Sequence, residues 1–334
     1  MNSQEIRIAD AIFEGGGVRG IGLVGAVAVA EEKGYQWESL AGTSAGAIVA
    51  SLLAAGYTAV ELKAIFDKLD YTRFKDKGFI DKIPLVGPLV SLIFEKGIYE
   101  GDYLFNWIKG LLKEKGVNTF RDLLLPEYED DKDFKFKLRL IASDVSRHSI
   151  LVLPQDIKQC GIQPEDLDVA LAIRMSMSIP LFYEPVKIKD KTTNRDTYIV
   201  DGGLLSNFPV WLFDTPGVTA SWPTFGFRLP ESGTERIIGG PISLLKELFW
   251  TMKEAHDERY VKNMNFARTI TIPTLGIGIT EFDLSKERSE ALYQSGRQAA
   301  EKFFDTYDHD TFTKRFLIGA NTIGRGDSHR AGES

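Results

Sequence analysis

Cysteine is almost missing from this chain. Cys160 stands alone, so no intrachain disulfide can form, and a reducing, cytoplasmic setting is expected. Histidine is scarce too, with only His148, His256, His309 and His329. No H-E-x-x-H pair, cysteine pair or EF-hand loop occurs, so neither a metal nor a cofactor is implied. Basic residues are not in excess: the net charge is −7 over 334 residues, which argues against general nucleic-acid binding, since that needs a basic face. Met1 to Asp10 hold no apolar stretch of the kind a secretory signal carries. No uncharged apolar run is long enough for a membrane-spanning helix. These absences point to a soluble protein, with 43% hydrophobic residues available for a sizeable core.

What is present is an alternation of strand-like and helix-like segments. Ile6 to Phe13 reads as a first strand, ending at a glycine block. Ile21 to Lys33 reads as a helix stopped by Gly34. Trp37 to Ala41 is a short strand, followed by an apolar helix from Ala45 to Ala55. Further helices are expected over Thr58 to Leu69, Asp102 to Lys115, Asp166 to Met177, Pro241 to Asn265 and from Ser285 to Asp308. Strands are expected over Phe136 to Ser143, Ser149 to Leu153, Val186 to Ile188, Thr197 to Val200, Phe225 to Leu229 and Thr269 to Ile272. This pattern predicts an α/β fold with a mainly parallel central sheet. No linker or repeat divides the chain, so residues 1–323 are expected to form one domain, followed by a flexible polar tail over 324–334.

Three glycine-bearing blocks carry chemistry. Gly42-Thr43-Ser44-Ala45-Gly46 has the G-x-S-x-G form of a nucleophile elbow, with a strand before it and a helix after it. The small neighbours leave room for a strained serine backbone. The helix that follows points its positive end at Ser44. The block Gly15-Gly16-Gly17-Val18-Arg19-Gly20 can form an oxyanion hole, with amides of Gly16, Gly17 and Val18 converging on one oxygen beside that of Ala45. Arg19 either supports this hole, meets a phosphate headgroup, or is an ordinary surface arginine at a helix start. The same block also matches the dinucleotide fingerprint G-x-G-x-x-G. That motif wants an acidic residue ending the second strand, and here the second strand runs into Ala41-Gly42 and the serine turn.

The third block is Asp201-Gly202-Gly203, a carboxylate at a strand end. A base for Ser44 must come within about 2.6–3.2 Å. A free aspartate, with a pKa of about 3.9, is a poor base. Partial burial beside the serine would raise that value. A Ser-Asp-His triad in α/β-hydrolase order would need His256 or His309. Both stand in charged helical contexts rather than on loops after strands, so a Ser44–Asp201 dyad is the expected arrangement.

These blocks, in this order, resemble the patatin-like phospholipases, whose pattern is G-G-G-x-R/K-G, then G-x-S-x-G, then D-G-A/G. Ser176-Met177-Ser178-Ile179-Pro180 and Asn207-Phe208-Pro209 also look like that family's pattern, and the likeness covers roughly residues 6 to 210. The resemblance implies a three-layer α/β/α sandwich and a serine carboxylic-ester hydrolase acting on a lipid or phospholipid without a metal. It makes Ser44 the nucleophile and Asp201 the proton acceptor. A contrasting reading is a regulator that binds a nucleotide or phospholipid on the glycine block without turnover.

Ile83 to Phe94 is a run of twelve uncharged residues preceded by Arg73, Lys75, Lys77 and Lys82. The segment from Arg73 to Phe94 is a candidate for peripheral membrane contact, for the wall or lid of an acyl pocket, or for plain core packing.

Overall fold

The computed structural model describes residues 6–74, 99–128, 134–191, 193–214, 222–230, 251 and 266–308. Among the described residues, eight strands form one sheet. They are β1 (Arg7–Phe13), β2 (Tyr35–Thr43), β3 (Leu138–Asp144), β4 (Ser149–Leu153), β5 (Val186–Lys189), β6 (Asp196–Asp201), β7 (Thr224–Arg228) and β8 (Thr269–Thr271). The order is β5-β6-β3-β2-β1-β7-β8, with β4 also paired to β3. The pairs β3–β2, β2–β1, β1–β7 and β7–β8 are parallel, whereas the β3–β4, β3–β6 and β5–β6 pairs are antiparallel. The expected mainly parallel α/β sheet is therefore the observed one.

The helices bounded within the described residues are α1 (Gly20–Glu32), α2 (Ala45–Ala54), α3 (Ala59–Asp67), α4 (Asp102–Glu114), α5 (Val169–Ser176) and α6 (Lys286–Phe304). Their termini follow local chemistry. Thr58 and Glu61 form a reciprocal capping box at α3, while Asp168 accepts the Leu171 amide at 3.0 Å to start α5. Helix α4 buries Leu104, Ile108 and Leu112, a four-residue spacing that makes one apolar stripe. Helix α1 differs, with every residue from Gly20 to Ala30 buried. It can be apolar all round because the sheet lies on one side and α6 crosses the other.

The two faces of the sheet have separate cores. One face, under the helices, gathers Phe13, Leu40, Leu140 and Phe225 with most of the helical side chains. On the other face, Ile12, Ala41 and Ile141 pack beneath Phe208, Val210, Leu212 and Phe213. Arg139 joins this second core, sandwiched between the rings of Phe134 and Phe213 at 5.1 and 4.8 Å, with Nη1 donating to the Leu212 carbonyl at 2.9 Å. A guanidinium can lie there because its charge is met by ring faces and a carbonyl. The helix expected from Pro241, residue 251 apart, and the tail from 324 lie outside the described residues.

Element positions follow the sequence closely, with two informative differences. β2 runs from Tyr35 to Thr43, so its last residue is inside the serine motif. The expected α5 start at Asp166 falls instead in a short 3-10 turn, Pro164–Asp166, because Asp168 is the better cap. Cys160 is wholly buried beside Arg147, and burial pushes its thiol pKa up. A thiol in that setting is unreactive. Among the described residues no helix is long and apolar enough to cross a membrane, and no cluster of three or more metal-ligating side chains occurs.

Candidate active site

The carboxyl ends of the parallel strands converge on one place. β2 ends at Thr43 and α2 starts at Ala45, so Ser44 must reverse the chain in a single residue. It does so with φ 53° and ψ −125°, a left-handed conformation that is strained for a side-chain-bearing residue. Neighbouring groups hold it there. The Ser44 amide donates to Ser176 Oγ at 3.0 Å, and that hydroxyl donates onward to the Ile141 carbonyl at 2.6 Å. Thr43 Oγ1 donates to the Ser206 carbonyl at 3.2 Å. Small neighbours are required by space: a Cβ on Gly46 would lie 2.3 Å from the Phe13 carbonyl oxygen.

Strand β3 explains how the aspartate arrives. One of its edges is occupied by β4 over Leu140–Asp144. The opposite edge is shared: β2 pairs with Leu138 to Ile141, and β6 comes in antiparallel over Ala142 to Asp144. Thr43 is opposite Ile141, and Asp201 is opposite Ala142. The end of β2 and the end of β6 thus meet at successive β3 positions, which brings Ser44 and Asp201 to the same junction. Asp201 is 2% exposed. Its amide donates to the Ser178 carbonyl at 2.9 Å, and its Oδ1 accepts the Gly203 amide at 2.7 Å. The chain then turns away at the middle of β3, where a Cβ on Gly202 would lie 2.2 Å from the Ile141 oxygen.

The glycine block rides on the same junction. A Cβ on Gly15 would lie 2.9 Å from Ser44 Cβ, so this main chain rests directly against the serine side chain. Gly17 has φ +57°, and a Cβ there would strike the Ile279 carbonyl oxygen at 2.1 Å. The amides of the block divide into two groups. Gly15 donates to the Asn207 carbonyl at 3.2 Å, Val18 to Ile279 at 3.1 Å, and Arg19 to Gly16 at 3.2 Å. The amides of Gly16 and Gly17 have no acceptor among the described residues, and Ala45, first in α2, has none within its helix. Arg19 is 1% exposed and donates Nε to the Gly16 carbonyl at 3.1 Å. That placement corrects the surface-arginine reading and sets Arg19 beneath the loop as a brace.

Residues 11–214 match the family model of the patatin-like phospholipases. The chain belongs to that family. A relative in Bacillus subtilis (strain 168), the "uncharacterized protein YqhO", is 38% identical over 304 residues, covering 90% of this chain and 99% of its own length. A "probable lipid hydrolase 463L" of Invertebrate iridescent virus 6 is 24% identical over 199 residues, covering 60% of this chain and 61% of that one. Among solved structures, VipD from Legionella pneumophila superposes with a TM-score of 0.51 at 16% identity, covering 94% of this chain and 73% of VipD. That likeness is one of fold.

As a patatin-like chain, it carries site features its motifs alone did not disclose. Glu14 is 4% exposed. Its Oε1 accepts from Asn207 Nδ2 at 3.1 Å, its Oε2 accepts the Leu229 amide, and Arg228 Nε stands 4.0 Å away. The available signal was an acid placed directly between a strand and a glycine run. Ser176 and Ser178 were visible as part of a pattern but had no assigned task. Both turn out to hold main chain, at Ser44 and Asp201 respectively. His148 is exposed on the β3–β4 turn, and His256, His309 and His329 lie outside the described residues. The run Ile83 to Phe94 and its lysines lie outside them too, while Arg73 stacks over the Tyr103 ring at 4.3 Å. A separate groove of about 470 Å³ opens beside Tyr35 and Trp37, near the start of β2 and far from these blocks.

Proposed function

We propose that this protein is a lipid acyl hydrolase of the phospholipase A or lysophospholipase type, working through a Ser44–Asp201 dyad. The observation that carries the reading is the shared edge of β3, where the register of β2 and that of β6 bring the two residues to one junction. Ser44 Oγ attacks the ester carbonyl while Asp201 takes its proton. The negative oxygen of the tetrahedral intermediate is held by the amides of Gly16, Gly17 and Ala45, aided by the positive end of α2. Asp201 returns the proton to the departing alcohol, which leaves an acyl-enzyme. Water then adds to the acyl carbon, its proton passing to Asp201 and on to Ser44 as the fatty acid departs. The substrate in this reading is a lipid or phospholipid, with peripheral membrane contact through Arg73–Phe94.

The test is hydrolysis of a short acyl ester by wild type and by Ser44→Ala, with a fluorophosphonate probe as a second readout. In labelling, Ser44 Oγ displaces fluoride from phosphorus. Hydrolysis abolished by Ser44→Ala, together with probe attached at Ser44, is the expected result. Equal rates, or dinucleotide binding without labelling, would favour the binding regulator instead.

A further inference from the structure

The connection that follows Asp201 does a second job. After Gly202–Leu204 turns as a 3-10 segment, the Ser206 amide donates back to the Gly202 carbonyl at 2.8 Å, and the next residue is Asn207, 2% exposed. Asn207 grips Gly15 from two directions. Its carbonyl accepts the Gly15 amide at 3.2 Å, and its Nδ2 donates to the Gly15 carbonyl at 3.3 Å. The same Nδ2 donates to Glu14 Oε1 at 3.1 Å, and Glu14 is tied through Oε2 to the Leu229 amide at the end of β7. A Cβ on Gly15 would lie 2.3 Å from Asn207 Oδ1, so the side-chain amide packs directly against Gly15. Gly15 is the residue pressed on Ser44, and the next two amides are those left without an acceptor among the described residues.

We infer that Asn207, oriented by the Glu14 carboxylate, is a positioning residue that fixes the aim of the Gly16 and Gly17 amides. The inference rests on the hydrolase reading of Ser44. Physically, a glycine run has little intrinsic preference for one conformation, so its amides stay aimed only if neighbouring groups immobilise them. Preorganised donors stabilise a transition state because they need no reorientation when charge develops. Asn207 accepts from the Glu14–Gly15 peptide and donates to the Gly15–Gly16 peptide, the unit that carries the Gly16 amide, so the rotation of both units flanking Gly15 is fixed. One connection thus carries the proposed base at its start and the clamp at its end.

The test uses the near-isosteric Asn207→Asp in the full chain, with kcat and KM on a soluble short-chain ester and the rate of fluorophosphonate labelling at Ser44. An ionised carboxylate at this position cannot donate to Gly15 or to Glu14, and it sets a second negative charge against the first. At pH 8 we expect kcat and the labelling rate to fall about 100-fold, on the scale of losing one oxyanion donor, with KM nearly unchanged. Lowering the pH protonates the new carboxyl and restores an O–H donor. The ratio of variant to wild-type kcat should therefore rise as pH falls to 5, a trend that packing damage alone would not produce.

Glu14→Gln is the companion variant. It keeps one acceptor but turns its NH2 toward a donor, and it should lose about 10-fold in kcat. If Asn207→Asp does not fold at pH 8, this variant decides. Variants that label as fast as wild type, a loss confined to KM, or a variant-to-wild-type ratio independent of pH would overturn the clamp alone. Wild type that fails to label at Ser44 would overturn the hydrolase reading and the clamp together.

Discussion

Two regions of this molecule are built from glycine and use it in opposite ways. At the carboxyl end of the sheet, Gly15 brings main chain against the Ser44 side chain. At the crossing of α1 and α6, a Cβ on Gly25 would lie 2.0 Å from the Tyr293 carbonyl oxygen, and one on Gly296 would lie 1.9 Å from that of Gly22. The first contact is surrounded by buried polar groups: Glu14, Ser44, Asp201 and Asn207. The second lies between helices whose buried residues are apolar or small. Close approach therefore serves the proposed chemistry in one place and packing in the other. The two demands separate cleanly because the strand ends concentrate the polar work at one edge of the sheet.

That contrast can be broken by adding one methyl group at a time. Gly15→Ala is expected to have the larger effect on activity. It sets a Cβ between Asn207 and Ser44 and should lower kcat by about 100-fold or more, as removal of an oxyanion donor does. Fluorophosphonate labelling compared with thermal melting would show activity lost well beyond any loss of folded protein. Gly25→Ala should behave in reverse. Overpacking at a backbone contact costs about 1–3 kcal/mol or more, read as a lower urea midpoint, while turnover per folded molecule stays near wild type. If Gly25→Ala silences the folded enzyme, the separation of roles is wrong.

A subtler comparison sets the two buried acids of β1 and its extension side by side. Glu14 faces Asn207, the Leu229 amide and Arg228 at the site. Asp10, four residues earlier and 4% exposed, accepts the Ser39 amide at 2.9 Å. Burial pushes the pKa of Asp10 up to about 7, against smaller lowering contributions from Trp222, Ser39 and Arg139. A carboxyl with a raised folded-state pKa binds its proton more tightly when folded. Its contribution to stability is therefore greatest at low pH and declines as pH rises from about 4 to about 7. Asp10→Asn should flatten that decline, measured by urea unfolding at pH 5 and pH 8, and leave turnover per folded molecule little changed.

Most of the fold was legible because it rests on local signals. The alternation of apolar strands with amphipathic or apolar helices placed nearly every described element, and Ser149 to Leu153 was located to the residue. The glycine blocks could be found because close approach leaves so few residue types possible. The arrangement around Glu14, Ser176 and Asn207 was not legible, since those residues and their partners stand 35 to 215 positions apart in the chain and meet only through the sheet. The division of amides within the glycine block was hidden for the same reason. Val18 follows the same local pattern as Gly17, but the loop at Ile279 lies across it and takes its N–H.

The account depends on Asp201 and Ser44 acting as one unit at the β2–β6 junction. The most direct measurement is the rate of short-ester hydrolysis for Ser44→Ala, Asp201→Asn and the double variant, each checked for native melting. Groups that act together lose their contribution together, so the account predicts that all three fall to the same low residual rate. An Asp201→Asn enzyme that keeps most of the wild-type rate would contradict it.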